Sequence, residues 1–163
     1  MSSAIYASPL GRIEIVADDQ ALLSLRFVTG PRHSGRGRGP ILAATRRALD
    51  EYFARGHVRA ELPFAWQTVP PFRRKVLETL WRDVPAGETV TYAELAKLCG
   101  SPRAWRAVGT AMATNPWPIL VPCHRVLATG GIGGYGPGLA IKRALLAREG
   151  ISCPPGRARN CSS

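Results

Sequence analysis

Asn115-Pro-Trp-Pro-Ile-Leu-Val-Pro-Cys-His-Arg-Val126 is the stretch on which the reading of this 163-residue chain turns. Prolines at 116, 118 and 122 rule out a helix interior and hold the approach extended. They deliver a thiol, an imidazole and a guanidinium at consecutive positions, Cys123, His124 and Arg125. A free thiol is mostly protonated near neutral pH, and a neighbouring base is the usual remedy. Adjacent side chains of an extended segment point to opposite faces. Cys123 and His124 are therefore expected to communicate through a water or a turn. The competing reading of the same pair is a buried cysteine beside a solvated histidine.

Downstream lies a Gly-rich loop, Thr129 to Gly138, and then a helical pattern over about Leu139 to Arg148. Glu149 follows at the end of that helix, where the dipole does not favour a carboxylate. A Cys–His–acid set is the general form of an activated thiol, the acid fixing the imidazole tautomer. Position alone equally allows Glu149 to be a surface residue. From Ser152 on, the Pro-, Arg- and Ser-rich composition predicts a disordered tail holding Cys153 and Cys161.

Upstream, Val84 to Thr91 reads as a turn into a helix over Tyr92 to Leu98. Cys99-Gly100 ends it, and Ser101-Pro102 reads as an N-cap and first-turn pair opening a second helix through about Thr114. Two short helices joined by a tight Gly-containing turn form a helix-turn-helix, which presents its second helix to DNA. Helical hairpins are also common in cores, but Arg103 and Arg106 on the second helix favour the DNA reading. Cys99 sits in an apolar helical pattern and is expected in the core. A further helix starts at Pro71, with Phe72, Val76, Leu77 and Leu80 as its apolar face and Arg73, Arg74 and Lys75 in solvent.

The chain opens differently. Ser3 to Ala7, Arg12 to Ala17 and Leu22 to Val28 alternate with a period of two and predict a half-buried antiparallel sheet. Ile13, Ile15 and Ala17 should share one face of the second strand, and Leu23, Leu25 and Phe27 one face of the third. Thr29 to Pro40 reads as a mobile loop, and Ile41 to Arg55 as a helix ended by Gly56. The expected fold is thus α/β of the α+β type, a small antiparallel sheet with a helix followed by a mainly helical domain. The expected organisation is a structural domain over 1–62, a linker at 63–71, a DNA-binding and chemical domain over 72–151, and a tail over 152–163.

A net charge of +11 suits a polyanionic partner. No run is long and apolar enough for a transmembrane helix, and the N-terminus lacks the basic and apolar regions of a secretion signal. The four cysteines lack zinc-ligand spacing, so no metal is expected, and an intracellular, reducing, cytoplasmic setting fits them.

The stretch Asn115 to Val126 resembles the active-site signature of the O6-alkylguanine-DNA alkyltransferases, proteins that repair methylated DNA. The resemblance runs from about Pro70 to Gly150, and Leu145-Leu146-Ala147-Arg148-Glu149-Gly150 matches a second motif of that family. It implies that Cys123 is the alkyl acceptor, His124 a base acting through a water, and Glu149 the acid that orients His124. It implies that Tyr92 assists nucleotide rotation and hydrogen-bonds the extruded guanine, and that Arg106 fills the vacated stack. Asn115 matches the hinge between recognition helix and active-site turn. The pocket would be formed by Asn115, Pro118, Val126, Tyr135 and Gly136, and the minor-groove contacts by Arg103, Ala104, Arg106, Ala107 and Gly109. Trp105, Gly136 and Pro137 depart from the residues common in that family.

The resemblance further implies an irreversible, single-turnover reaction on double-stranded DNA by a monomer without a cofactor. Three other readings stand beside it. An alkyltransferase-like damage-binding protein would lack the acceptor thiol that Cys123 supplies. A helix-turn-helix regulator would need a dimer interface and a sensor module. A cysteine hydrolase would need an oxyanion arrangement beyond Gly-rich backbone.

Overall fold

The computed structural model describes residues 1–30 and 35–152. Residues 31–34 of the predicted mobile loop, and 153–163 with Cys153 and Cys161, lie outside the described residues. Two compact units are present: one from the described part of Met1–Thr68 together with Pro116–Leu120, the other from Val69–Asn115 and the described residues after Leu120.

In the first unit, β1 (Ser2–Ser8), β2 (Gly11–Ala17) and β3 (Leu22–Val28) form an antiparallel sheet in the order β1-β2-β3. Ile13, Ile15 and Ala17 are all buried, as the alternation predicts. The third strand departs from its predicted phase. Ala17 pairs with Leu22 but Val16 with Ser24, so Leu23 is an extra residue at a bulge. Leu22 and Leu25 are buried in consequence, and Leu23 is only half-buried. The Gly35–Gly37 end of the predicted loop runs along β1: Gly37 N donates to Ser3 O (2.7 Å) and Ile5 N to Gly35 O (3.1 Å). A Cβ on Gly37 would run into Ser3 O, so only glycine permits this approach.

Helix α1 (Pro40–Arg55) places Pro40 in its first turn and ends at Gly56, whose φ of 78° is left-handed and whose N–H donates to Tyr52 O. Pro63 to Ala65 are hydrogen-bonded to Leu22 on both sides, Leu22 N to Pro63 O and Ala65 N to Leu22 O. Pro116–Leu120 completes this unit: Leu25 N donates to Pro116 O, and the buried Trp117 Nε1 to Leu22 O (2.9 Å). Within that segment Ile119 adopts a φ of 74°, a conformation β-branched residues avoid. Such strain persists only where the surrounding structure fixes it; two residues earlier, Trp117 packs against Phe64 and Trp66.

The second unit holds α2 (Pro71–Asp83), β4 (Val90–Thr91), α3 (Tyr92–Leu98), α4 (Trp105–Ala113), β5 (Val126–Leu127) and α5 (Leu139–Arg148). Helix α2 buries Val76, Leu77, Thr79 and Leu80, and Cys99 is also buried. Helix α3 begins with a capping box, Thr91 Oγ1 accepting from Glu94 N and Glu94 Oε2 from Thr91 N.

The start of α4 corrects the sequence reading. Gly100 takes a left-handed φ of 74°, Ser101 N donates back to Ala96 O, and Ala104 N closes a turn on Ser101 O. Ser101-Pro102 therefore makes a turn, Pro supplying its second position, and the helix begins only at Trp105 without a side-chain cap. Arg103 and Ala104 precede the helix instead of riding on it. Helices α3 and α4 still form the paired unit of a helix-turn-helix.

Candidate functional site

Neither the approach to Cys123 nor the cysteine is extended as the prolines suggest: 116–121 runs through bends and a turn that includes the left-handed Ile119, and Cys123 N folds back to Val121 O (2.8 Å) around Pro122. Cys123–Arg125 forms one 3-10 turn, in which Arg125 N donates to Pro122 O (3.0 Å) and Val126 N to Cys123 O. Pro122 sets the entry angle, and the turn places the thiol and imidazole in one bend, one of the two arrangements expected of them. Val126 and Leu127 then pair in parallel with Val90 and Thr91. The turn that carries Cys123 and His124 is thereby anchored to the strand that runs directly into α3 and Tyr92.

His124 is fully buried, and its Nε2 lies 2.6 Å from Glu149 Oε1. Arg125 adds a two-point contact to the same carboxylate, Nε to Oε2 at 2.8 Å and Nη2 to Oε1 at 3.1 Å, while Nη1 donates to Val84 O at 2.7 Å. Burial works to raise the Glu149 carboxyl, but hydrogen bonds from His124 and Arg125 outweigh it and hold it at about 2. Burial lowers His124, more than Glu149 raises it. A neutral imidazole facing an ionised carboxylate must donate from Nε2. Nδ1 is thereby left as the basic nitrogen.

Cys123 is buried, and burial pushes its thiol up; a hydrogen bond with Asn115 and the charge of Lys142 work in the other direction. Asn115 is itself fixed by donating from Nδ2 to Val121 O (2.9 Å). Burial also raises the Tyr92 hydroxyl, against a hydrogen bond with the Gly134 backbone and with a charge interaction from Cys123. Tyr92 is thus a protonated hydroxyl within electrostatic reach of the thiol. Gly133 leaves room for it, since a Cβ there would fall 3.1 Å from the hydroxyl.

The structure therefore brings Cys123, His124, Glu149, Tyr92, Asn115 and Val126 together. Tyr135 and Gly136 stand in the adjoining Gly-rich loop, half-buried and exposed respectively. Pro118 is buried in the first unit with Trp117. On the outer side of the helix-turn-helix, Arg103, Arg106 and Ala107 are exposed, and Ala104 and Gly109 half-exposed, opposite the buried Val108, Ala111 and Met112. Trp105 is 48% exposed, and the Arg106 guanidinium lies 4.9 Å from the centre of its ring.

Sequence reasoning assigned no role to Arg125 or Lys142. Arg125 stood in the quoted motif, and its position beside a Cys–His pair was the available signal. Among the described residues, no group of three or more His, Cys, Asp or Glu side chains could hold a metal ion. No described helix is long and apolar enough to cross a membrane.

The Glu149 cluster has a measurable consequence. A carboxyl held at about 2 when folded, against an ordinary 4.5, contributes stability that is complete above pH 4.5 and lost as pH falls toward 2. The full contribution is roughly 3 kcal/mol. In urea unfolding, the wild type is expected to lose about 2 kcal/mol more than Glu149→Gln between about pH 5 and pH 3. Parallel acid profiles for the two proteins would contradict the coupling.

Comparison with known proteins gives a consistent picture. Residues 71–151 match a family described as 6-O-methylguanine DNA methyltransferase, DNA binding domain, and residues 1–66 match its ribonuclease-like domain. The chain is 39% identical to the methylated-DNA--protein-cysteine methyltransferase of Cricetulus griseus, over 93% of this chain and 83% of that protein. It is 38% identical to the protein of the same name from Saccharolobus islandicus, over 92% of this chain and 96% of that one. Among solved structures, Mycobacterium tuberculosis OGT in complex with DNA superposes with a TM-score of 0.77 at 33% identity, covering 91% of this chain and 92% of that one.

Proposed function

The chain belongs to the 6-O-methylguanine DNA methyltransferase family, and we propose that it repairs O6-alkylguanine in duplex DNA, chiefly O6-methylguanine, by moving the alkyl group irreversibly onto its own Cys123. The observation that supports this most is the buried thiol beside a neutral imidazole, itself held by an ionised carboxylate. His124 Nδ1 takes the Cys123 proton through a water. The sulfur attacks the alkyl carbon, the S–C bond forms as the C–O6 bond breaks, and the electron pair passes to the guanine. Tyr92, kept protonated by burial, supplies a hydrogen bond and proton to the leaving base as its charge develops. The product thioether has no hydrolytic exit, so each molecule acts once.

The target carbon lies inside the duplex, so the nucleotide must be turned out of the stack. The outward face around α4 docks in the minor groove through Arg103, Ala104, Ala107 and Gly109, where small side chains admit close approach. Arg106 leaves its resting place on Trp105 and fills the vacated stack with a planar guanidinium. Asn115, Val126, Tyr135 and Gly136 line the pocket. Residues 72–151 carry binding and chemistry, and 1–62 are structural. The protein acts as a monomer in the cytoplasm, on DNA, without a cofactor.

Guanine restoration, measured on a duplex and on free O6-methylguanine, tests this reading. The wild type should restore the duplex. Arg106→Ala should lose about 10- to 100-fold on the duplex, the few kcal/mol that unstacking costs, and almost nothing on the free base. A wild type that leaves the duplex lesion intact would refute the function, and equal losses on both substrates would refute the finger.

A further inference from the structure

We propose that Lys142 is a positioning residue for alkyl transfer: its buried ammonium pins the Gly-rich loop to the active-site turn and keeps a positive charge beside Cys123. The inference rests on the reading of Cys123 as alkyl acceptor. Lys142 lies in the second turn of α5 and is 0% exposed. Its Nζ donates to three carbonyls: Val126 O at 2.7 Å, Ile132 O at 2.6 Å and Gly134 O at 3.0 Å. An ammonium has three donors and no acceptor, so all three are used.

These carbonyls belong to different parts of the site. Val126 follows directly on the turn that carries Cys123 and His124. Ile132 and Gly134 belong to the loop, which forms neither strand nor helix between them. Gly134 backbone also meets the Tyr92 hydroxyl. One ammonium thus fixes the separation between the acceptor turn and the stretch that seats the proton donor.

Among the described residues Lys142 has no carboxylate partner. Burying such a charge is costly, and an apolar side chain of similar volume would fill the same space more cheaply if packing were its only task. Burial lowers Lys142 to about 8, and the charge on Cys123 raises it; Lys142 in turn lowers Cys123. The other charged groups around the turn are engaged with one another. His124 and Arg125 both bond Glu149, and Tyr92 keeps its proton. When the thiol ionises, Lys142 is the cation that meets it.

Full-length wild type, Lys142→Met and Lys142→Arg can be compared in single-turnover methyl transfer from an O6-methylguanine duplex, across the pH range in which a thiol titrates. Lys142→Met should slow transfer about 100-fold, the cost of a misplaced reacting geometry. Duplex affinity, which phosphate contacts supply, should stay within about threefold. The residual rate should keep rising into alkaline pH where the wild type has levelled off, because the thiol has lost a favourable charge. Lys142→Arg keeps a permanent charge and should recover about tenfold of the loss. Wild-type transfer by Lys142→Met overturns the proposal. So does a slowed rate with an unchanged pH profile and no recovery by Lys142→Arg, which is the signature of packing alone.

If the Met variant does not fold, hydrogen exchange on the wild type decides. Amides of Gly131 to Gly134 should be protected and should lose protection as pH rises through about 8, after correction for intrinsic exchange, while those of α4 keep theirs. Unprotected loop amides at every pH overturn the proposal. A wild type that gains no methyl group but keeps a protected loop would refute the transfer reading and leave the pin standing.

Discussion

Replacement of Cys123 by alanine is expected to abolish alkyl transfer and leave affinity for an O6-methylguanine duplex within about twofold. The two halves of this result have separate physical origins. Transfer needs a sulfur lone pair at the alkyl carbon, and among the described residues the other free cysteine, Cys99, is hydrogen-bonded with Thr79 and has its thiol pushed up by burial. Affinity comes from cations meeting phosphates and from the helix face around Arg103, Arg106 and Gly109. Removing one buried sulfur changes neither. The alanine variant should therefore behave as a damage-binding protein, forming a complex that persists because no alkyl group leaves the DNA. Gel-shift titration alongside a guanine-restoration assay checks both halves. Residual transfer would place the acceptor elsewhere, and lost binding would mean that the thiol itself seats the lesion.

Glu149→Ala should have the second largest effect, because one carboxylate serves two buried donors. Without it, Arg125 keeps only the Val84 carbonyl of the partners seen here, and His124 loses the acceptor 2.6 Å from Nε2. Breaking a buried pair in this way typically costs about 3–5 kcal/mol, since a charge is stranded in a desolvated site. Chemistry should suffer as well: without an ionised partner at Nε2 the imidazole is no longer held with Nδ1 as the base. A slowing of about 10²- to 10⁴-fold is expected, the usual contribution of a positioned base. Glu149→Gln is the informative companion. Its amide can accept from one donor, but the NH₂ then faces the other, so it should recover part of the stability and little of the rate. Urea unfolding and single-turnover transfer on the same preparations separate the two effects. Transfer by Glu149→Ala at the wild-type rate would show that His124 needs no orienting acid.

The sheet could be read from the sequence because a half-buried strand writes its environment as a period of two, and Ile13, Ile15 and Ala17 followed it. The bulge at Leu23 could not, since Leu22 and Leu23 are both apolar and either could start the buried series. Ser101-Pro102 looked like a helix start for a sound local reason, yet the left-handed Gly100 and the turn closed on Ser101 O spend those residues before the helix begins. The prolines at 116, 118 and 122 made the approach to Cys123 look extended, whereas the chain bends through 116–121, folds back at Pro122 and closes a 3-10 turn over Cys123–Arg125.

Among the chemical residues, those adjacent in sequence were visible and those assembled by packing were not. The thiol and imidazole stood out in one motif. Glu149 was suspect as a carboxylate at a helix end, and became specific only through resemblance to a known motif. Lys142 had no signal of either kind, because a lysine in a helical pattern reads as solvated surface. Only the three carbonyls brought around it by the turn and the loop reveal otherwise. Trp105, one of the departures from the family's common residues, lies on the surface, with its ring exposed under Arg106.

Intact-mass measurement followed by peptide mapping, after incubation with a duplex containing O6-methylguanine, tests the central claim most directly. The account predicts that the protein gains the mass of one methyl group in place of a hydrogen, that the modified peptide carries it on Cys123, and that one guanine is restored for each molecule modified. A duplex repaired while the protein's mass stays unchanged, or a methyl group mapped to any residue other than Cys123, would contradict it.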